Sequence, residues 1–231
     1  MTIRKMWHCI AIALALQLLV VGYLAYERPS VSSPASVERP ASDAVLFFWY
    51  GCGHCREVER IFRAESADQK ITALLKNGEH FLKIPAPFNP TWEMHARLYY
   101  ALDHLKVSSD THWFVMNLIQ DKGLHTSARL SGALPEIVRY VASHNPGVMT
   151  TADKLAADMN SPQTDAEIRA AKQLGQSIGL RGVPAMLVNK QSLIELGNGV
   201  GYHEMLPAVL KLLSGSKEAT TSHSLTAATR P

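Results

Sequence analysis

Residues 44–58 read AVLFFWYGCGHCREV. The first seven, 44–50, are apolar or aromatic and carry no charge, and Gly51 ends the run. That is the pattern of a short strand buried on both faces. Cys52 and Cys55 follow at once, three apart, and Val58, Ile61 and Phe62 recur at helical spacing, so a helix is expected to open at Cys52. A cysteine pair at such a junction can hold a metal, carry haem, brace the fold or exchange electrons. The surrounding chain narrows the choice.

The chain has 231 residues, enough for one domain with a core of its own or one domain carrying an insertion. Hydrophobic residues make up 47% and charged residues 19%, with a formal net charge of +3. That excess is too small, and the basic residues too scattered, to suggest a nucleic-acid surface. No solenoid-type repeat is present.

The N-terminus is expected to lie outside the fold. Arg4 and Lys5 precede an apolar stretch from Trp7 to about Tyr26, which Glu27 and Arg28 close. A basic start followed by such a run is an export signal or a membrane anchor, and it is about as long as the ~20 residues a spanning helix needs. Residues 1–26 are therefore read as signal peptide or anchor, with the remainder exported, because basic residues favour the cytoplasmic side. Outside the cytosol disulfides persist. Cys9 falls within the apolar segment, leaving Cys52 and Cys55 as the exported thiols.

Residues 27–43, rich in Pro, Ser and Ala, read as a linker. After the strand at 44–50 and the helix from Cys52, HFLKIPAPF (80–88) reads as a second strand ended by Pro85 and Pro87. Helices are expected at 91–105, 109–121, 133–144, 150–159 and 164–179, with Trp113, Phe114 and Tyr140 as core positions. AMLVN (185–189) and SLIEL (192–196) read as strands, 203–213 as a final amphipathic helix, and 214–231 as a disordered Ser/Thr/Ala-rich tail. The order strand, helix, strand, helices, strand, strand, helix describes an α/β thioredoxin-like fold in two parts, 44–89 and 164–213, with a helical insertion at 90–163.

A structural zinc needs about four ligands, and no second cysteine pair or finger-like histidine spacing accompanies Cys52 and Cys55. Haem attachment wants C-x-x-C-H, but Arg56 occupies the last position. A brace closing so small a loop gains little chain entropy. Redox exchange fits the context best: Cys52 at a helix N-terminus meets free backbone N–H groups and the helix dipole, which favour a thiolate. His54 is expected to add charge or a hydrogen bond, and Cys55, one turn deeper, to act as the resolving thiol. Val183-Pro184, directly before a strand, can hold a cis peptide bond beside the cysteines and offer Val183's backbone to an extended substrate.

FFWYGCGHC (47–55) and LRGVPAMLVN (180–189), with TDAEIRAAKQLG (164–175) leading into the second, resemble the DsbA family of periplasmic thiol:disulfide oxidoreductases over roughly residues 44–213. The resemblance implies a redox-active Cys52–Cys55 disulfide with Cys52 as nucleophile. It implies a substrate groove at Val183, Pro184 and Gly53, cysteine-containing exported proteins as substrates, and a DsbB-like quinone-linked membrane protein as reoxidant. No metal or cofactor is implied, nor any nucleic acid. The chain departs from the family at two places. Gly53 replaces the usual proline of a Pro-His dipeptide, a loss of rigidity at the helix start. Leu46 stands where the family carries a buried acid, so proton handling at the buried cysteine passes to another group or to water. The segment ahead of the active-site strand is also short, which leaves little room for a first edge strand.

The expected function is disulfide formation in exported proteins, in the periplasm, by a protein either released there or tethered to the inner membrane through residues 7–26. The alternatives are an isomerase or reductase kept reduced by a membrane electron donor, and a non-catalytic chaperone or assembly factor.

Overall fold

A computed structural model of the chain describes residues 42–76, 79–197 and 199–227, with side chains to residue 215. The expected N-terminal segment (1–26) and most of the linker lie outside the described residues. Among those described, no helix is long and apolar enough to cross a membrane.

The first strand, β1 (Ala44–Phe48), is buried at all five positions. β2 (Leu82–Pro85) pairs with it in parallel, while β3 (Ala185–Val188) runs antiparallel on its other side and β4 (Ser192–Glu195) completes the sheet, in the order β2-β1-β3-β4. Pro85 is tolerated because β2 is an edge strand with one side free of ladder bonds. The described residues begin two positions before β1, so the expected lack of a first edge strand lies outside them.

The period of two along β1 and β3 sorts the core. Leu46 lies opposite Met186, and Val45 opposite Leu187. Leu46 and Met186 join one apolar cluster with Val58 and Phe62 of α1 (Gly53–Ala64), Ile71 of α2 (Ala67–Thr72) and Met205 of α8 (Tyr202–Ala227). Val45 and Leu187 face the other way, onto Leu174 of α7 (Pro162–Ser177). Helices cover both faces, which is why β1 reads as an unbroken apolar run.

Between β2 and α7 come α3 (Pro90–His104), α4 (Ser109–Lys122), α5 (Ser127–His144) and α6 (Ala152–Met159). Each of α3 to α7 starts on a polar cap: Asn89, Ser108, Thr126, Thr151 and Ser161 accept a backbone N–H three residues on. Such a cap contributes about 1 kcal/mol. Arg97 of α3 binds Glu93, Asp165 and the Met159 carbonyl, clasping α3 to α6 and α7.

Three elements differ from expectation. Helix α5 begins at Ser127, not near 133. Pro135 inside it forfeits one backbone bond, but the Thr126 cap and the buried stripe Leu130, Leu134, Ile137 and Val141 outweigh that loss. The short α2 was not expected; it lacks a side-chain cap and is held by buried Ala67 and Ile71. The last helix continues to Ala227 through positions expected to be a disordered tail, as Ser214 turns its hydroxyl onto the Leu210 carbonyl one turn back instead of stopping the helix.

Candidate active site

The turn between β1 and α1 carries the cysteines. The Cys52 N–H donates to the Trp49 carbonyl at 3.0 Å, closing the turn. Only glycine fits at 51: a Cβ there would lie 2.4 Å from the Trp49 indole, which folds across the turn. That indole donates to His95 Nδ1 at 2.8 Å and stacks on Trp92. Gln120 of α4 reaches in from the helices and donates to the carbonyls of Tyr50 and Cys52, at 2.7 and 3.1 Å.

Cys52 is the N-cap of α1, and its sulfur accepts the Cys55 N–H at 3.2 Å. Both cysteines are free thiols. Cys52 is 9% exposed and Cys55 2%. The Cys52 thiol is pulled down to about 7, first by the hydrogen bond from the Cys55 side chain, against an opposing push from burial, and then by the backbone amides of Cys55 and His54. The Cys55 thiol is pushed well up, by burial first and by Cys52 second. One turn of helix thus separates a sulfur ready to ionise from one held protonated.

The Val183-Pro184 peptide bond is cis, and the Cys52 sulfur lies 3.6 Å from the Val183 carbonyl. Beside it opens a groove of about 650 Å³ that takes in His54, Val183, Pro184, Glu195 and Tyr202. Cys52, Cys55, Val183 and Pro184 therefore meet as one site. Gly53, the first residue of α1, has nothing within 4 Å of where a side chain would start. His54 differs from expectation. Its backbone N–H, not its ring, acts on Cys52, while Nδ1 is hydrogen-bonded to the Tyr202 hydroxyl. The reason is geometric: the ring projects outward from the helix start, where the first residue of α8 meets it.

On the opposite side of the helix start, a cavity of about 440 Å³ reaches Cys55. It is lined by ionisable groups that no sequence motif marks. Glu59, 7% exposed, binds Lys83 Nζ with both carboxylate oxygens at 3.0 Å. The Tyr50 hydroxyl pairs with His112 Nδ1 at 2.6 Å, and burial drives the His112 imidazole down to about 4. Leu46, at the position expected of an acid, borders the same space. Glu59 at least was visible in sequence as a charge within a buried helical stripe, one turn beyond Cys55.

No family model matches the chain. The thiol:disulfide interchange protein DsbA of Pseudomonas aeruginosa is 27% identical over 194 residues, 84% of this chain and 85% of that protein. Its namesake from Azotobacter vinelandii is 24% identical over 189 residues, 82% of this chain and 79% of the relative. The crystal structure of Pseudomonas aeruginosa DsbA superposes with a TM-score of 0.64 at 25% identity, covering 82% of this chain and 92% of that one. That of Xylella fastidiosa DsbA, at 22% identity and a TM-score of 0.60 over 80% of this chain and 90% of its own, shares the fold. This geometry and these likenesses support a DsbA-family thiol:disulfide oxidoreductase with a thioredoxin-like fold and a helical insert.

Proposed function

We propose that the protein works as an exported dithiol oxidase, with Cys52 as nucleophile, Cys55 as its resolving partner, and Val183, Pro184 and Gly53 bordering the substrate groove. The carrying observation is the contrast between the two thiols: Cys52, capping the helix and drawn down to about 7, stands beside the Val183 carbonyl, while Cys55 stays buried and protonated. A stable Cys52 thiolate favours the reduced pair, and so favours oxidation of whatever reduces it.

The exchange then runs in two displacements. A substrate thiolate attacks Cys52 Sγ in the Cys52–Cys55 disulfide; the bond breaks, its electron pair goes to Cys55 Sγ, and Cys55 takes up a proton. A second substrate thiolate attacks the substrate sulfur of the mixed disulfide and Cys52 leaves as thiolate. The substrate loses two electrons and two protons and gains a disulfide; the cysteine pair gains two electrons. With Leu46 in place of an acid, the Cys55 proton passes through the cavity beneath it, where Glu59, Lys83 and His112 stand. Reoxidation falls to a DsbB-like, quinone-linked membrane protein.

Residues 44–89 and 164–213 form the thioredoxin-like part in this reading and 90–163 the insertion. The protein acts in the periplasm, with residues 1–26 as signal peptide or inner-membrane anchor and 27–43 as linker. The isomerase, reductase and non-catalytic alternatives draw no support from the relatives, which are interchange proteins named DsbA.

The test is capture. Cys55→Ser removes the resolving thiol, so mixed disulfides between Cys52 and exported cysteine-containing proteins accumulate and can be identified after non-reducing electrophoresis. A Cys55→Ser protein that captures nothing in the periplasm overturns the reading.

A further inference from the structure

The one side chain between the two cysteines is turned away from them. The His54 Nδ1 is hydrogen-bonded to the hydroxyl of Tyr202, with the rings 6.0 Å apart and 27° from parallel. Both residues line the groove that runs past Val183 and Pro184. The groups that lower the Cys52 thiol are Cys55 and two backbone amides; the imidazole is not among them. Other charged groups nearby are engaged in pairs. Arg181 and Glu195, across the groove, bind each other at 2.8 Å, and Glu57 on α1 answers to Arg60 and His203. Cys55 lies beneath. His54 is thus a ring at the helix start that can be brought to, or kept from, the Cys52 sulfur.

The geometry points to Tyr202 as a positioning residue: its hydroxyl holds the His54 imidazole away from Cys52 while the groove is empty, and an extended chain lying along Val183 displaces Tyr202 and frees the ring for the Cys52 thiolate. The inference rests on the disulfide-exchange reading and adds to it a control by substrate. The hydrogen bond to the phenol occupies Nδ1 and sets the direction in which the ring points. Released, the ring can face the sulfur, where a hydrogen bond from it stabilises the thiolate that leaves the mixed disulfide. Thiol ionisation would then be greatest when a peptide occupies the groove. Small thiols, which do not fill the groove, would meet the less activated form.

Tyr202→Phe keeps the ring and removes the hydroxyl. In the reduced full-length protein, thiolate absorbance should show the Cys52 midpoint falling by on the order of half to one unit. The equilibrium with glutathione should move about 3- to 10-fold toward the reduced protein. In a His54→Ala background the same substitution should change neither. The wild-type protein should also favour a cysteine peptide over glutathione by several-fold more, on the order of 3-fold, than Tyr202→Phe does. An unchanged midpoint and equilibrium in Tyr202→Phe, a shift that persists without His54, or an unaltered peptide preference each overturns the proposal. Wild-type exchange with the peptide tests the parent reading by itself: its failure would sink disulfide exchange, whereas the thiolate titration of Tyr202→Phe still reports on the ring.

Discussion

The two cysteines lie one helical turn apart and face different surroundings. On the Cys52 side the partners are the Cys55 side chain and, around it, backbone: amides of the helix start, the Val183 carbonyl, and carbonyls held by Gln120. On the Cys55 side a partly apolar cavity adjoins the sulfur, with two polar pairs along its lining, Glu59 with Lys83 and Tyr50 with His112. Backbone groups at a helix end are fixed by the fold and carry no net charge to titrate, so they set a standing preference for thiolate. Side chains that can gain and lose protons suit the buried sulfur, whose proton has to travel. Position alone, without any difference in chemistry, divides the work between two identical residues.

The largest expected effect breaks this division outright. Cys52→Ser should reduce exchange with a cysteine peptide by more than about 10³-fold and capture nothing, while Cys55→Ser should capture partners without releasing them. Equal capture by both variants would mean that the thiols are interchangeable. Next comes the pocket. Lys83→Met leaves the Glu59 carboxylate buried without its ion pair and should destabilise the protein by about 3 kcal/mol, measured by urea unfolding. Replacing both, as Glu59→Gln with Lys83→Met, should recover part of that loss. Two buried imidazoles should also make stability acid-sensitive. The imidazoles of His95 and His112 are held down near 4 by burial, so the unfolded chain binds more protons than the folded one below about pH 6.5. Their contribution is complete above that pH and is lost as pH falls through about 4, worth roughly 3 kcal/mol each as an upper figure. A urea midpoint that stays flat between pH 6.5 and 4 would contradict it.

The smaller effects sit on the Cys52 side. Gln120→Ala strips a donor from two carbonyls of the active-site turn and should cost about 1–2 kcal/mol, with a displaced Cys52 midpoint as its signature. In the unaltered protein that midpoint should stand at about 7, with Cys55 titrating only above the ordinary thiol range. Overlapping titrations would erase the contrast.

What the sequence discloses follows the same line. The apolar run into Gly51, the C-x-x-C spacing and the proline before AMLVN are local patterns, and β1, the start of α1 and the Val183-Pro184 turn could be read from them. The start of α5 could not, because Gly132 and Pro135 are locally discouraging and only the packed stripe from Leu130 to Val141 overrides them. The pocket groups were equally hidden. Lys83 meets Glu59 across 24 residues, and His112 meets Tyr50 across 62, contacts that exist only after the chain has folded. The His54 ring was misplaced for the same reason, since its partner is Tyr202, 148 residues away. Chemistry close in sequence was legible; chemistry assembled by topology was not.

Cys52 and Cys55 belong to the apolar cluster built from α3 to α6, together with Leu98, Val115 and Ile137, rather than to the clusters that flank the sheet. Electron gain or loss at the sulfurs is therefore felt chiefly among these helices. By reciprocity, a compound wedged among those helices with a preference for one state of the pair would alter the protein's oxidising power from a distance, without touching either sulfur.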